Sequence, residues 1–221
     1  MRKLLATTVL ATTVIAGAAS AQTMATAATD LNIRSGPGAM HEVTGVITSG
    51  DEVSVTGCIE SANWCEITYG DKAGWAYGDY LTTKVGDEIQ PLYPNRQTIG
   101  VTVIEPPPES EVKQATDTAV GGATGAAMGA LIGGPVGAVV GAAIGGAAGS
   151  VAEPAPEVQT YITENPQDPV YLEGEVVIGA GVPDTVTLYD IPDQPDYKYV
   201  TINGQPVLVN PADRKIVYIY R

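Results

Sequence analysis

The chain has 221 residues, with 11 Lys and Arg against 25 Asp and Glu and a formal net charge of −14. A surface this acidic repels phosphate backbones and acidic lipid headgroups, which excludes nucleic acid as a partner on electrostatic grounds. The absence of Phe and the presence of 16 Pro imply small apolar cores with much connecting chain, enough for one or two domains of ordinary size.

Arg2 and Lys3 precede an uncharged stretch from Leu4 to Ala16, and the small residues that follow end in Ala19-Ser20-Ala21. The apolar run is short for a bilayer span, while the small-x-small ending suits a signal peptidase. Residues 1–21 are therefore expected to be a signal peptide cut before Gln22, sending the mature chain to the periplasm or cell envelope. The alternative is a retained anchor helix. No Cys stands at the cut, so lipid attachment is not expected.

Residues 26–84 alternate apolar and polar at Val53 and Val55, then at Cys65, Ile67 and Tyr69, the pattern of half-buried antiparallel strands. Ser35-Gly36-Pro37-Gly38, Ser49-Gly50-Asp51 and Gly70-Asp71-Lys72 supply turns between them. A compact barrel of five or six short strands fits. The segments Leu31-Asn32-Ile33-Arg34-Ser35-Gly36-Pro37-Gly38, Trp64-Cys65-Glu66-Ile67-Thr68-Tyr69, Gly74-Trp75-Ala76 and Tyr80-Leu81, in this order, resemble the bacterial SH3-like domains. That resemblance implies a small β-barrel which, in many relatives, binds peptide or peptidoglycan through a groove, and it implies no catalysis. Asn32, Arg34, Trp64, Trp75, Tyr77 and Tyr80 are the candidate groove residues, since aromatic rings give broad contact at low entropic cost. Packing in the barrel core is the competing role for Trp75 and Tyr80.

Cys58 and Cys65 are the two cysteines of the chain. An even count in an exported protein points to a disulfide, and the spacing suits the two arms of a hairpin. Residues 85–117 hold Pro91, Pro94 and Pro106-Pro107-Pro108 among several acids. They read as an acidic, semi-rigid linker, with only Ile99 to Ile104 resembling a strand.

From Thr118 to Ala152 no residue carries a charge, and glycine returns at every fourth position: Gly121, Gly125, Gly129, Gly133, Gly137, Gly141, Gly145 and Gly149. Bulky residues such as Val120, Met128, Ile132, Val136, Val140 and Ile144 stand just before them. On a helix this spacing makes a smooth stripe beside a knobbed one, and the smooth stripe lets two backbones approach closely. Pro135 at the midpoint breaks the helix, so a Gly/Ala-rich helical hairpin packed glycine face to glycine face is expected, entering a membrane or driving homo-oligomers. One kinked spanning helix and a flexible linker are the alternatives. The stretch is similar to the glycine-zipper segments of bacterial envelope proteins.

A second spacer is expected over 153–169, followed by a small antiparallel β-meander over 170–221. Asn203-Gly204 between alternating runs is a hairpin signal, with Val207-Leu208-Val209 as the return strand, Asn210-Pro211-Ala212-Asp213 as the next turn and Ile216 to Tyr220 as the third strand. Pro206 should mark an edge or a strand start. The stretch from Tyr197 to Tyr220 resembles the bacterial family called domain of unknown function 1236, which implies no activity.

The whole is mainly β. One His, His41, rules out a site of several His ligands, and once bridged the two Cys offer no nucleophile. No catalytic residue, metal site or cofactor is expected. The chain reads as an exported, non-catalytic envelope protein: the SH3-like module binds peptidoglycan or an envelope protein, and the zipper serves membrane association or self-assembly. A purely structural oligomer and an accessory or degenerate wall enzyme are the rivals.

Overall fold

A computed structural model describes residues 22–106 and 153–221 apart from residue 193. The expected signal peptide over 1–21 and the glycine-zipper hairpin over 118–152, with its eight glycines, lie outside the described residues.

The first module is a nine-stranded sheet, antiparallel apart from one strand. Its strands are β1 (Thr23–Ala27), β2 (Leu31–Arg34), β3 (Val43–Ile47), β4 (Glu52–Ile59), β5 (Trp64–Tyr69), β6 (Lys72–Tyr77), β7 (Leu81–Val85), β8 (Glu88–Pro91) and β9 (Val103–Ile104). They follow the order β3-β2-β6-β5-β4-β1-β7-β8, with β9 lying parallel to β4. The sheet curls into a half-barrel of SH3-like form. Gly70, at φ 61°, opens the two-residue loop between β5 and β6, a place where a side chain would be strained. Cys58 and Cys65 face each other across β4 and β5 and form the expected disulfide. Reducing it should lower the unfolding free energy by about 2.5 kcal/mol in the chain-entropy account. Denaturant titrations with and without reductant check this, and superimposable curves would refute it.

The half-barrel extends further along the chain than the repeat of turns suggested. Residues 85–106, expected as linker, add β8 at one edge, a single turn α1 (Arg96–Ile99) and β9. What holds them is burial of Leu92, Tyr93 and Val101. The Tyr93 hydroxyl lies 2.8 Å from the carbonyl oxygens of both Ile59 and Glu60 and donates to them. At Gly57 a Cβ would come within 2.8 Å of the Thr102 carbonyl oxygen, so glycine is what lets the β9 segment approach β4.

The second module begins with α2 (Pro156–Glu164) and continues through β10 (Tyr189–Asp190), β11 (Lys198–Ile202), β12 (Gln205–Val209) and β13 (Ile216–Ile219), paired in that order. The three expected strands of the meander are β11, β12 and β13, and β10 adds a fourth beside β11. Asn203 and Gly204 both take positive φ, 51° and 79°, the geometry of the tight turn that matches strand twist. Pro206 is the second residue of β12, opposite Thr201, near the strand start where its missing donor costs least. The expected linker over 153–169 instead contains α2. Pro156 is pre-set for a first helical turn, and Val158 and Ile162, four apart, bury one stripe against Ile191, Tyr199 and Leu208. The sheet is thus covered on both faces. Tyr199 and Leu208 meet the helix, while Val200, Ile202, Val207 and Val209 enter the opposite core.

That opposite core is shared. Leu31, Ile33 and Ile67 of the first module and Leu172, Val176, Val200 and Val207 of the second belong to one continuous apolar cluster. Among the described residues no helix is long and apolar enough to cross a membrane.

Candidate ligand-binding face and its internal occupant

Strand parity sorts the candidate residues. In β2 successive side chains point to opposite faces, so Leu31 and Ile33 share the barrel side and Asn32 and Arg34 share the other. Arg34 pairs with Trp75, Glu66 with Trp75, and Trp64 with Tyr77. Directly paired residues present side chains to the same face, which places Asn32, Arg34, Trp64, Trp75 and Tyr77 together. Tyr80 follows in the single turn Gly78–Tyr80. Its ring lies 5.9 Å from that of Tyr77, which in turn meets Trp64 edge-on at 5.4 Å. All six candidates come together on one face.

That face is covered. Asn32 and Arg34 are 0% and 1% exposed, and the four aromatic residues are buried as well. The cover includes the segment Leu172–Val177 of the second module, hereafter the strap. Glu175, itself 0% exposed, receives the Arg34 guanidinium in a two-pronged contact, Nε to Oε2 at 2.5 Å and Nη2 to Oε1 at 2.6 Å. Asn32 Nδ2 donates to the same carboxylate at 3.1 Å and to Gln205 Oε1 at 2.7 Å. The Val176 amide completes the set, donating to Glu175 Oε1 at 2.8 Å. A carboxylate taken out of water in this way is satisfied by several donors at once, the condition under which a buried charge is tolerated.

The remaining prong of Arg34 organises the loop between β2 and β3. Its Nη1 donates to the carbonyls of Ala39 at 3.0 Å and His41 at 2.7 Å. His41 is half-buried, with its ring so close over Gly36 that a Cβ there would lie 2.5 Å away. On the other side Asn203 positions the strap, accepting from the Leu172 amide at 2.8 Å and donating to the Gly174 carbonyl at 3.2 Å. A groove of about 430 Å³ runs between the loop and the Asn203-Gly204 turn, bordered by Met40, Glu42, Gln205, Tyr220 and Arg221 and reaching Arg34.

The electrostatics follow burial. The Tyr80 hydroxyl is pushed up to about 12, first by loss of water and then by the charges of Asp79 and Glu175. Tyr77 rises further for the same leading reason, with Asp79, Tyr80 and Glu173 adding to it. Burial also raises the Asp79 carboxyl, against the opposing effect of the Asn63 amide that donates to it at 2.7 Å. Arg221 is lowered by burial, which outweighs the attraction of Asp30 and Glu175.

Glu175, Gln205, Asn203 and Arg221 were not among the residues singled out from the sequence as a site. The available signal was Glu175 itself, an acid directly before the apolar run Val176-Val177-Ile178, where an unpaired charge would be costly. Among the described residues no group of three or more His, Cys, Asp and Glu is arranged to hold a metal ion.

Comparison with known proteins assigns each part. Residues 29–82 match the family described as bacterial SH3 domain, residues 106–154 the YMGG-like Gly-zipper, and residues 161–221 the domain of unknown function DUF1236. A curated relative from Bacillus subtilis (strain 168), named "Putative N-acetylmuramoyl-L-alanine amidase YrvJ", is 34% identical over 64 residues, which is 29% of this chain. The match spans 12% of that protein's length. In chain order, then, the chain carries matches to the bacterial SH3 domain, the YMGG-like Gly-zipper and DUF1236.

Proposed function

We propose that this is an exported, non-catalytic protein of the cell envelope whose SH3-like module binds the peptide portion of peptidoglycan. The observation that carries the reading is the gathering of Asn32, Arg34, Trp64, Trp75, Tyr77 and Tyr80 on one face. Clustered rings beside a forked cation suit a peptide that bears carboxylates. The similarity to a Bacillus protein named as a putative N-acetylmuramoyl-L-alanine amidase and the match to the bacterial SH3 family support the same direction. Cys58 and Cys65 are held in a disulfide and supply no thiolate.

The glycine zipper is assigned to membrane association or to pairing with other copies. Its flanks, residues 106 and 153, belong to two modules that share a core and a buried ion pair. A single crossing would put those modules on opposite sides of a bilayer, so entry and return from one side is the reading compatible with their docking. One observation favours a second reading, a purely structural role: the candidate face is filled from within the chain.

Cosedimentation of the mature chain with purified sacculi tests the proposal. Binding is expected, together with a shift from membrane to soluble fractions when residues 118–152 are deleted. A chain that stays in the supernatant, both as wild type and with the strap contact weakened, would leave the structural reading in its place.

A further inference from the structure

The SH3-like face and its cover have the chemistry of a receptor and a ligand. On one side stand a guanidinium fork, an amide donor and four aromatic rings. On the other stands Leu172-Glu173-Gly174-Glu175-Val176-Val177, a short acidic peptide whose Glu175 carboxylate takes both prongs of Arg34 and the amide of Asn32. The two hydroxyls at the end of the face, Tyr77 and Tyr80, sit within electrostatic reach of Glu173 and Glu175 respectively.

We infer that the face is a carboxylate-recognising peptide site and that the strap Leu172–Val177 is its built-in competitor, Glu175 standing in for the carboxylate of an incoming wall peptide. This rests on the reading above, in which the wall peptide is the ligand. Two features set it apart from a permanent structural tie. A fully buried ion pair is a poor device for stability alone, because apolar side chains of similar volume hold a junction as well or better. As an exchangeable contact it is a good device, since a forked guanidinium discriminates a carboxylate from a neutral group. Access is also built in. The groove of about 430 Å³ bordered by Met40, Glu42, Gln205 and Arg221 leads to Arg34 from outside, so a peptide seated in it lies beside the guanidinium that the strap releases when it leaves. The apparent affinity of the face for a ligand is then lowered by the fraction of molecules that are closed.

The experiment compares the full mature chain with its Glu175→Gln variant, a near-isosteric change that removes the competing charge. Cosedimentation is measured with purified sacculi and with the same sacculi after amidation of their free carboxylates. In parallel, hydrogen exchange of the wild type at the Leu172 and Val176 amides is followed with and without soluble wall peptides. The expected result is at least tenfold tighter binding by Glu175→Gln, at least tenfold faster exchange of the strap amides when wall peptide is added to the wild type, and loss of both on amidation. Equal binding by the two proteins with unchanged strap exchange overturns the competitor and leaves peptidoglycan binding standing. Failure of both proteins to bind overturns both. Should Glu175→Gln not fold, the wild-type exchange decides: acceleration by free but not amidated peptide supports the inference, and none refutes it.

Discussion

Replacing Arg34 by Ala should cost about 3–5 kcal/mol of unfolding free energy, the range for breaking a buried ion pair from one side. The reason is the partner left behind. Glu175 is 0% exposed, and three of its contacts come from Arg34 and Asn32. Without the guanidinium the carboxylate keeps one side-chain amide and its neighbour's N–H, and must otherwise be protonated or drag water into an apolar junction. Loss of the bonds from Nη1 to Ala39 and His41 also frees the loop after β2. Arg34→Lys should recover only part of the loss, because an ammonium cannot reproduce the two-pronged geometry.

The paired change Arg34→Met with Glu175→Leu should recover most of what either single removal loses, since both buried charges disappear together. Denaturant unfolding of the four proteins gives the coupling directly. An Arg34→Ala protein within about 1 kcal/mol of wild type would show that the junction opens freely in solution. Whichever charge is deleted, the loss falls on the docking of the two modules. Most of the SH3-like core, including Val53, Val55 and Ile67, belongs to the half-barrel itself.

Much of this arrangement could be read from the residues, and the exceptions share one cause. The meander was legible because Asn203-Gly204 fixes a turn and the flanking runs fix the register. The disulfide followed from two cysteines at hairpin spacing. The common face of Asn32, Arg34, Trp64, Trp75 and Tyr77 follows from parity once the strands are known, and Tyr80 joins it from the turn after β6. Helix α2 was missed although Pro156, Val158 and Ile162 carried its signature, because Pro residues on either side read as spacer. Residues 85–106 were missed for a similar reason, since isolated apolar residues such as Leu92, Tyr93 and Val101 bury themselves only against a surface made elsewhere. The strap is the extreme case. Nothing local to Asn32 or Arg34 says what lies over them, since the covering residue is 141 positions from Arg34. Long-range pairing of polar side chains leaves no periodicity in a sequence, only the oddity of a charge within an apolar run.

Alkaline pH should open the same junction, and the sign follows from the tyrosines. An unfolded Tyr loses its proton near pH 10. Tyr80 is 5% exposed and holds its proton up to about 12 in the folded chain, and Tyr77 is shifted in the same direction. Below pH 10 both states are neutral at these positions and the shift contributes nothing. Between pH 10 and 12 the unfolded chain binds fewer protons than the folded one, so stability falls as pH rises. For Tyr80 alone the two-unit shift amounts to roughly 2–3 kcal/mol, and Tyr77 adds to it. The leading cause is burial, with Asp79 and then Glu175 behind it, so undocking the strap removes the Glu175 charge together with whatever burial the strap supplies. Glu175→Gln should therefore move the Tyr80 titration, followed by tyrosinate absorbance in a chain whose other tyrosines serve as reference, back toward 10. Tyr80→Phe should lessen the loss of stability above pH 10, whereas Tyr220→Phe, which removes a hydroxyl raised by burial and then by Tyr218, should leave the Tyr80 titration where it was. If Tyr80 titrates at the same pH with and without the Glu175 charge, the strap is not what dries the face.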